Sequence, residues 1–507
     1  MSVKLLVGPL LGLESDSLYT VCFTAPRTAT RASVTFNGQS VDAHRIGDTP
    51  TSTVWRAEWN AQTQADPRVV HYHVHVDGSL AHNKDGSEWR FYVPGEKEKP
   101  RLLYASCNGF SSPDLVTKTE RPYILWGKIR KFQRAEFDKV NSDDIPAPYS
   151  LMLLGGDQIY ADEVWTKVQV LSSWTQKRHD KKIEAKSSKA LVEQLERFYD
   201  NLYQTRWNRE DMSVALAEIP SVMMWDDHDI FDGWGSFPEK LQNCDVFKAI
   251  YDVAKRYFEL LQIRSRQNHT LLDRDAPHYA FALKFRGYHI LALDNRAERT
   301  RKQVMSTRQW NSVIDYLEHQ ATSGDLLLMS AVPVVYRDFS FTETVFDATP
   351  WEEELTDDLK DHWRAKDHQG ERARLIMRLL KNVELRETRN SGRCRTVILS
   401  GDVHIGCLGV INDRRTAKTR RIHQVVSSGI VHPAPSKIQW YGIMAVTNDD
   451  NEYLTEDKSI EITMLKPHSA EKYLRVRNYV SLMEGTDNKL WLNWVCDSDE
   501  KPVYPLD

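Results

Sequence analysis

Along the first hundred residues, apolar and polar positions alternate in short bursts. The segments LYTVCFTA, ASVTFNG, STVWRAEWN, VVHYHVHVDG and EWRFYVPG are rich in β-branched and aromatic residues, and turn residues recur between them. A period of two is the signature of a half-buried strand. Short strands at this spacing predict a small all-β sandwich over residues 1–97. The opening MSVKLLVGPLLGLESDS holds an apolar stretch from Leu5 to Leu13. Gly8, Pro9 and Gly12 interrupt it, Lys4 is its only basic flank, and no small-residue cleavage site follows. It reads as a first strand and turn, and GEKEKPR (Gly95–Arg101) reads as a linker.

The pattern changes near residue 100. Short apolar runs (RLLYAS, YSLMLLGG, SVMMWD, YHILALD, DLLLMSAVPVV, RTVILSGD) alternate with longer segments of helical period, namely Ala190–Trp207, Cys244–Leu261, Ser306–His319 and Gly370–Leu385. This alternation predicts an α/β core over residues 98–430. Beyond it, SIEITMLK, YLRVRNYVSL and KLWLNWVCD read as strands over 431–507 that complete the core or form a small subdomain. No apolar run reaches the roughly 18 residues a spanning helix needs. The 507 residues carry a formal net charge of −4, so nothing global favours nucleic acid or an anionic membrane. The six cysteines are scattered with no CxxC pair, which argues against a disulfide framework and for a reducing compartment, hence a cytoplasmic location.

Five of the predicted strands run directly into polar residues suited to metal or phosphate. RLLYAS meets Cys107 and Asn108. YSLMLLGG meets Asp157, Gln158 and Tyr160. SVMMW meets Asp226, Asp227, His228 and Asp229. YHILAL meets Asp294, Asn295 and Arg296, and RTVILSG meets Asp402 and His404. One aspartate after a strand is usually a helix cap. Five such junctions point instead to a common site beyond the carboxyl ends of the strands. Carboxylates are hard ligands that can bridge two cations, and imidazole suits borderline metals. A tyrosine ligand favours a strong Lewis acid such as ferric iron, because the phenol titrates near 10. A neighbouring Cys107 thiolate suits iron or zinc.

The runs LLYASCNGF, LGGDQIYADEV, WDDHDIFDGWG, LALDNR and LSGDVHIG, in this order, resemble the alkaline phosphatase D (PhoD-like) phosphatases. These belong to the calcineurin-like and purple-acid-phosphatase-like metallophosphoesterases. The resemblance covers about residues 100–430, and it implies a four-layer α/β/β/α sandwich preceded by a β-sandwich domain. It implies that Asp157 bridges two metals and that Cys107 and Tyr160 ligate iron. It also implies that Asp227, Asp402 and His404 complete the metal set, with calcium, manganese, magnesium or zinc at the second position. His228 would then contact the leaving group or nucleophile, and Arg296 the phosphate. The activity implied is hydrolysis of a small phosphoester, mono- or diester, by metal-activated hydroxide. The separate VxxH histidine of many calcineurin-like enzymes has no clear match; His423 and His432 are the substitutes at hand.

Other residues have plainer readings. Asp162 and Glu163 read as caps of the following helix, and Asp226 and Asp229 as residues that orient His228 or a ligand. Arg299 and Arg301 read as a solvated face. Trp225, Phe231 and Trp234 read as core. DRRTAKTRR (Asp413–Arg421) reads as an exposed hairpin tip, or as a patch steering anionic substrate. Ser427–Gly429 ends another strand and is a candidate pocket wall. The loops Ala161–Asn201 and Phe341–Gln369 would set substrate size. Competing readings are a phospholipase D-like diesterase, a nuclease on the same metals, and a scaffold that has lost catalysis. Acidic net charge argues against a stable nucleic-acid complex. Nothing in the sequence specifies an oligomeric state.

Overall fold

The computed structural model describes residues 2–139, 147–337, 363, 365–389 and 394–507. Of the segment Phe341–Gln369, only Trp363 and residues 365–369 are among them. Two sheets form the frame. In one, strands Arg101–Ala105, Tyr149–Gly155 and Ser221–Met224 run parallel. In the other, Tyr288–Ala292, Asp325–Met329, Thr396–Ser400 and Arg420–Ser427 run parallel. C-terminal strands extend both sheets: Asn478–Glu484 pairs with Arg101–Ala105, and Ile460–Leu465 pairs with Gly406–Asp413.

Packing follows from residue alternation. In the second sheet Ile290, Ala292, Leu327, Met329, Val397 and Leu399 join the core shared with the first sheet. Their neighbours Leu291, Leu326, Leu328 and Ile398 pack on the other face, against Trp310, Val313, Leu375, Ile376 and Leu379 of helices Thr307–Asp315 and Gln369–Arg389. Both faces are therefore covered, as parallel strands require. Helices Ile124–Lys139, Lys189–Trp207 and Asp245–Leu261 add buried faces to the core of the first sheet. The result is the mixed α/β, two-sheet architecture expected from the sequence.

The N-terminal strands form a β-rich region whose core is aromatic: the rings of Tyr19, Phe36, Trp59, Tyr72 and Phe91 meet at centroid distances of 4.8–6.1 Å. This region shares a sheet with the parallel strands, because Leu10–Leu13 pairs with Ser221–Met224. Arg264 reinforces that junction. It is buried, and its guanidinium donates to the carbonyls of Leu11 (2.9 Å) and Ser221 (3.1 Å).

Two helices depart from the expected pattern. Ile124–Lys139 buries Gln133 and Glu136 among its apolar residues, which blurs the apolar period. Both are satisfied by backbone: Gln133 exchanges hydrogen bonds with Tyr149, and Glu136 accepts from Ala147. Lys437–Val446 is a helix in a region expected to hold only strands; KIQWYGIMAV is apolar almost throughout and shows no polar stripe, but a Ser436–Gln439 capping box marks its start. Residues His179–Glu184 form a further short helix. Among the described residues, no helix is long and apolar enough to cross a membrane.

Replacing Arg264 by Leu removes the guanidinium donor of the Leu11 and Ser221 carbonyls. Leu11 O still accepts from Ser221 Oγ (3.1 Å), so the loss is that of about one unsatisfied group, roughly 1–3 kcal/mol. Urea unfolding measures it; an unchanged midpoint would show that the junction contributes nothing.

Candidate metal centre

The site lies where the parallel strands of both sheets end. Cys107, Asp157, Tyr160, Asp402 and His404 all have positive φ, between 52° and 69°. A left-handed backbone at a residue other than glycine costs on the order of 1–3 kcal/mol. Five of them together cost at least about 5 kcal/mol, comparable with the stability of a whole domain. The surrounding loops hold them in place. Asn108 N donates to Asp157 O (2.8 Å), His432 N to Cys107 O (3.1 Å) and Ala161 N to His228 O (2.7 Å). His404 N donates to Ser428 Oγ (2.8 Å). Asp229, which is buried, accepts at Oδ1 from Gln158 N (2.9 Å) and Ile159 N (3.1 Å) and at Oδ2 from Asp226 N (3.0 Å). Gly156 (φ +97°) makes the tight approach possible, since a Cβ there would stand 2.9 Å from Asp226 Cβ. At Gly109 a Cβ would fall 2.4 Å from the Tyr160 ring.

These loops bring the expected ligands together. Ligand atoms of Asp157, Asp227 and His228 lie within 4.8 Å of one another, as do those of Asp226, Asp227 and Asp402. Asp227 is common to both groups. Cys107 Sγ lies 3.5 Å from Asp157 Oδ2 and 3.0 Å from Ser428 Oγ. Tyr160 OH is 3.2 Å from His404 Nε2. His432 lies flat on His404, with ring centroids 3.5 Å apart. Both its nitrogens face protein acceptors or donors, Pro433 O (2.9 Å) and Ser111 Oγ (3.3 Å), so it forms a wall of the site. His423 sits at mid-strand opposite Val397, away from the strand end.

The electrostatics are those of carboxylates shut off from water. Burial, then Asp226, drives the Asp157 carboxyl well above its ordinary range. Burial, then Asp157, does the same to the Cys107 thiol, and burial, then Cys107, to the Tyr160 phenol. Asp229 is pushed up to about 7 by burial. Burial opposes charge on His228, but Asp162 and Asp227 outweigh it and the imidazole is held protonated well above its usual range. Burial, then His432, lowers His404. Asp157 Oδ1 is a buried acceptor with no hydrogen-bond partner. A buried lone pair left over amid clustered carboxylates, a thiol, a phenol and an imidazole fits a hard or borderline cation.

Other residues were placed differently from their sequence reading. Arg296 is wholly buried; its Nε pairs with Asp226, its Nη2 lies 3.3 Å from Asp227 Oδ1, and its Nη1 donates to Trp234 O. Asp162 caps nothing: Oδ2 faces His228 Nδ1 at 2.9 Å and Oδ1 accepts from Asp232 N at 2.9 Å. Its role was hidden because its partner lies 66 residues away. Asp294 buttresses the loops, accepting from Trp225 Nε1 (2.9 Å) and Tyr279 N (2.7 Å). Arg299 is buried, so it is no part of a solvated face. Trp225, Phe231 and Trp234 are core. The basic run does form a hairpin tip between Gly406–Asp413 and Arg420–Ser427. That tip is at the opposite end of an eight-residue strand from the site, about 23 Å away at 3.3 Å per residue, and so is poorly placed to steer substrate.

Residues 84–351 match the sequence profile of the family described as PhoD related phosphatase. An uncharacterized protein of Saccharomyces cerevisiae, YGR266W, is 27% identical over 417 residues, which is 69% of this chain and 55% of the yeast protein. The chain thus spans about half the length of that curated relative. A solved structure of PhoD superposes with a TM-score of 0.59 at 14% identity, covering 99% of this chain and 89% of that one, and establishes the likeness of fold. Purple acid phosphatase PPD1 from yellow lupin (Lupinus luteus) seeds gives 0.48 at 10% identity, over 98% and 74% of the two chains. The profile match spans more than half of the sequence and bears out the resemblance read from its motifs: the chain belongs to the PhoD related phosphatase family.

Proposed function

We propose that this phosphatase-family chain hydrolyses small phosphoesters with two cations held at the strand ends. The observation that carries the reading is the convergence of strained ligand residues on one buried, carboxylate-rich point. Cys107, Tyr160, Asp157 and His404 form the softer side, suited to ferric iron; Asp226, Asp227 and Asp402 form an oxygen-rich side, suited to calcium, manganese or magnesium. Asp227 converges with Asp157 on one side and with Asp402 on the other, which supports it as a ligand. Bound cations supply Lewis acidity, offsetting phosphoryl charge and acidifying water.

The chain's own residues do the remainder. Asp162 accepts the Nδ1–H of His228 and fixes the ring. Nε2, which lies 3.9 Å from Asp232 Oδ1, can then hold or donate a proton to the leaving oxygen. Arg296 grips Asp226 and Asp227 from behind and sets their positions, a positioning role in place of the phosphate contact implied by resemblance. Tyr160 stacks on His228 at 4.5 Å and closes one side.

The decisive assay compares an artificial phosphodiester with its monoester, using metal-replete wild type and Asp157→Asn. Wild type cleaves at least one, and the variant loses on the order of 10²–10³-fold or more in kcat. The preferred ester identifies the activity. Failure of wild type on both esters across iron, manganese, calcium and zinc would leave a non-catalytic relative as the better reading. Asp162→Asn should lower kcat about 10- to 100-fold with KM held within about twofold, since it disturbs His228 and no metal ligand. An unchanged kcat would remove His228 orientation from the mechanism.

A further inference from the structure

The outer face of the N-terminal sheet carries a row of histidines that the strand-end site does not use. In strand Arg68–Val76, the residues Val70, Tyr72, Val74 and Val76 point into the aromatic core. Strand alternation therefore puts His71, His73 and His75 together on the opposite face. His71 is exposed, and His73 and His75 are half-buried.

Two of the three are held by one ring nitrogen. His71 Nδ1 lies 3.0 Å from Glu88 Oε1, and His73 Nδ1 lies 3.2 Å from the Ser87 carbonyl oxygen. A carboxylate and a carbonyl only accept. In the neutral imidazole, Nδ1 must therefore carry the hydrogen, which leaves the lone pair on Nε2. This is the arrangement of metal-ligating histidines, whose second nitrogen donates to a carboxylate or a backbone carbonyl and so fixes tautomer and orientation.

The two partners come from one loop, and that loop is anchored. Asn83 N donates to Gly86 O (2.9 Å), Asp85 N to Asn83 Oδ1 (2.8 Å), and Asn83 Nδ2 to Gly8 O (3.1 Å). The strand on its far side pairs His71 with Arg90 and Tyr72 with Trp89, so Glu88 is delivered beside the histidines by sheet register. Residues two apart on a strand stand about 6.5–7 Å apart. Two imidazoles spaced this way can close on one zinc ion at about 2.0–2.1 Å each.

We propose that Nε2 of His71 and Nε2 of His73 form a surface site for a borderline divalent cation, zinc foremost, with water filling the remaining positions. Glu88 and the Ser87 carbonyl orient the two rings. His75 is about 13 Å from His71 along the strand and cannot share the same ion with it.

Equilibrium dialysis of the full chain against zinc, with metal counted per chain, tests the assignment without reference to catalysis. His71→Ala and His73→Ala, both at the surface, should each remove one zinc equivalent while phosphoester hydrolysis and far-UV circular dichroism stay as in wild type. Glu88→Gln should keep that equivalent but weaken it about 10- to 100-fold. His75→Ala should leave it intact. The site does not exist if the His71→Ala/His73→Ala chain binds the same zinc equivalents with the same affinities as wild type. The pair is misassigned if His75→Ala loses the equivalent and His71→Ala retains it.

Discussion

Asp157, Asp226 and Asp227 stand at the ends of neighbouring strands, closed off from water, with Asp402 beside them. At 4.8 Å and an effective dielectric constant of 20, two unit charges repel by about 3.5 kcal/mol, and here several such pairs meet. Arg296 offsets part of this by pairing with Asp226 and Asp227. Part is relieved by protonation: burial first, and then Asp226, drives the Asp157 carboxyl upward. The rest is a standing demand for positive charge, and the surrounding structure is arranged to maintain that demand.

Maintenance falls to the loops. The ends of Arg101–Ala105, Tyr149–Gly155 and Thr396–Ser400 turn through left-handed residues, and their loops are tied to turns from other strands. Asp229 binds the loop after Tyr149–Gly155 to the loop after Ser221–Met224, and Ser428 binds Cys107 to His404 across the two sheets. The rigidity has a source in the sheets behind, buried on both faces and continuous on one side with the N-terminal strands through Arg264. Strain at the site is therefore supported by packing distributed over the whole fold.

The sequence made the frame and the candidate ligands legible for one reason: a strand buried on both faces is an unbroken apolar run, and its end is marked by the first polar residues. Cys107, Asp157, Tyr160, Asp227, Asp402 and His404 were visible that way. Residues that act sideways were not. Asp162 looked like a helix cap, and the pairing of Arg296 with Asp226 and Asp227 was invisible, because these partners come from distant segments that only the fold brings near. The helix Ile124–Lys139 was missed because its buried polar residues are satisfied by backbone that the sequence does not reveal as adjacent. The basic hairpin was legible as a hairpin, but strand direction decided which end of the sheet it occupies.

The most direct test of this account is thermal unfolding of the chain stripped of metal and then reloaded, beside the same pair for Asp227→Asn. A cation that binds the folded state alone adds RT ln(1 + [L]/Kd), about 2.7 kcal/mol at a hundredfold excess over Kd. If the carboxylate cluster exists to hold cations, reloading raises the wild-type Tm, and the increase shrinks or disappears in Asp227→Asn, whose stripped form is no less stable than stripped wild type. Equal Tm for stripped and loaded wild type across iron, manganese, calcium and zinc would contradict it, because the buried charge would then have no cation to answer it.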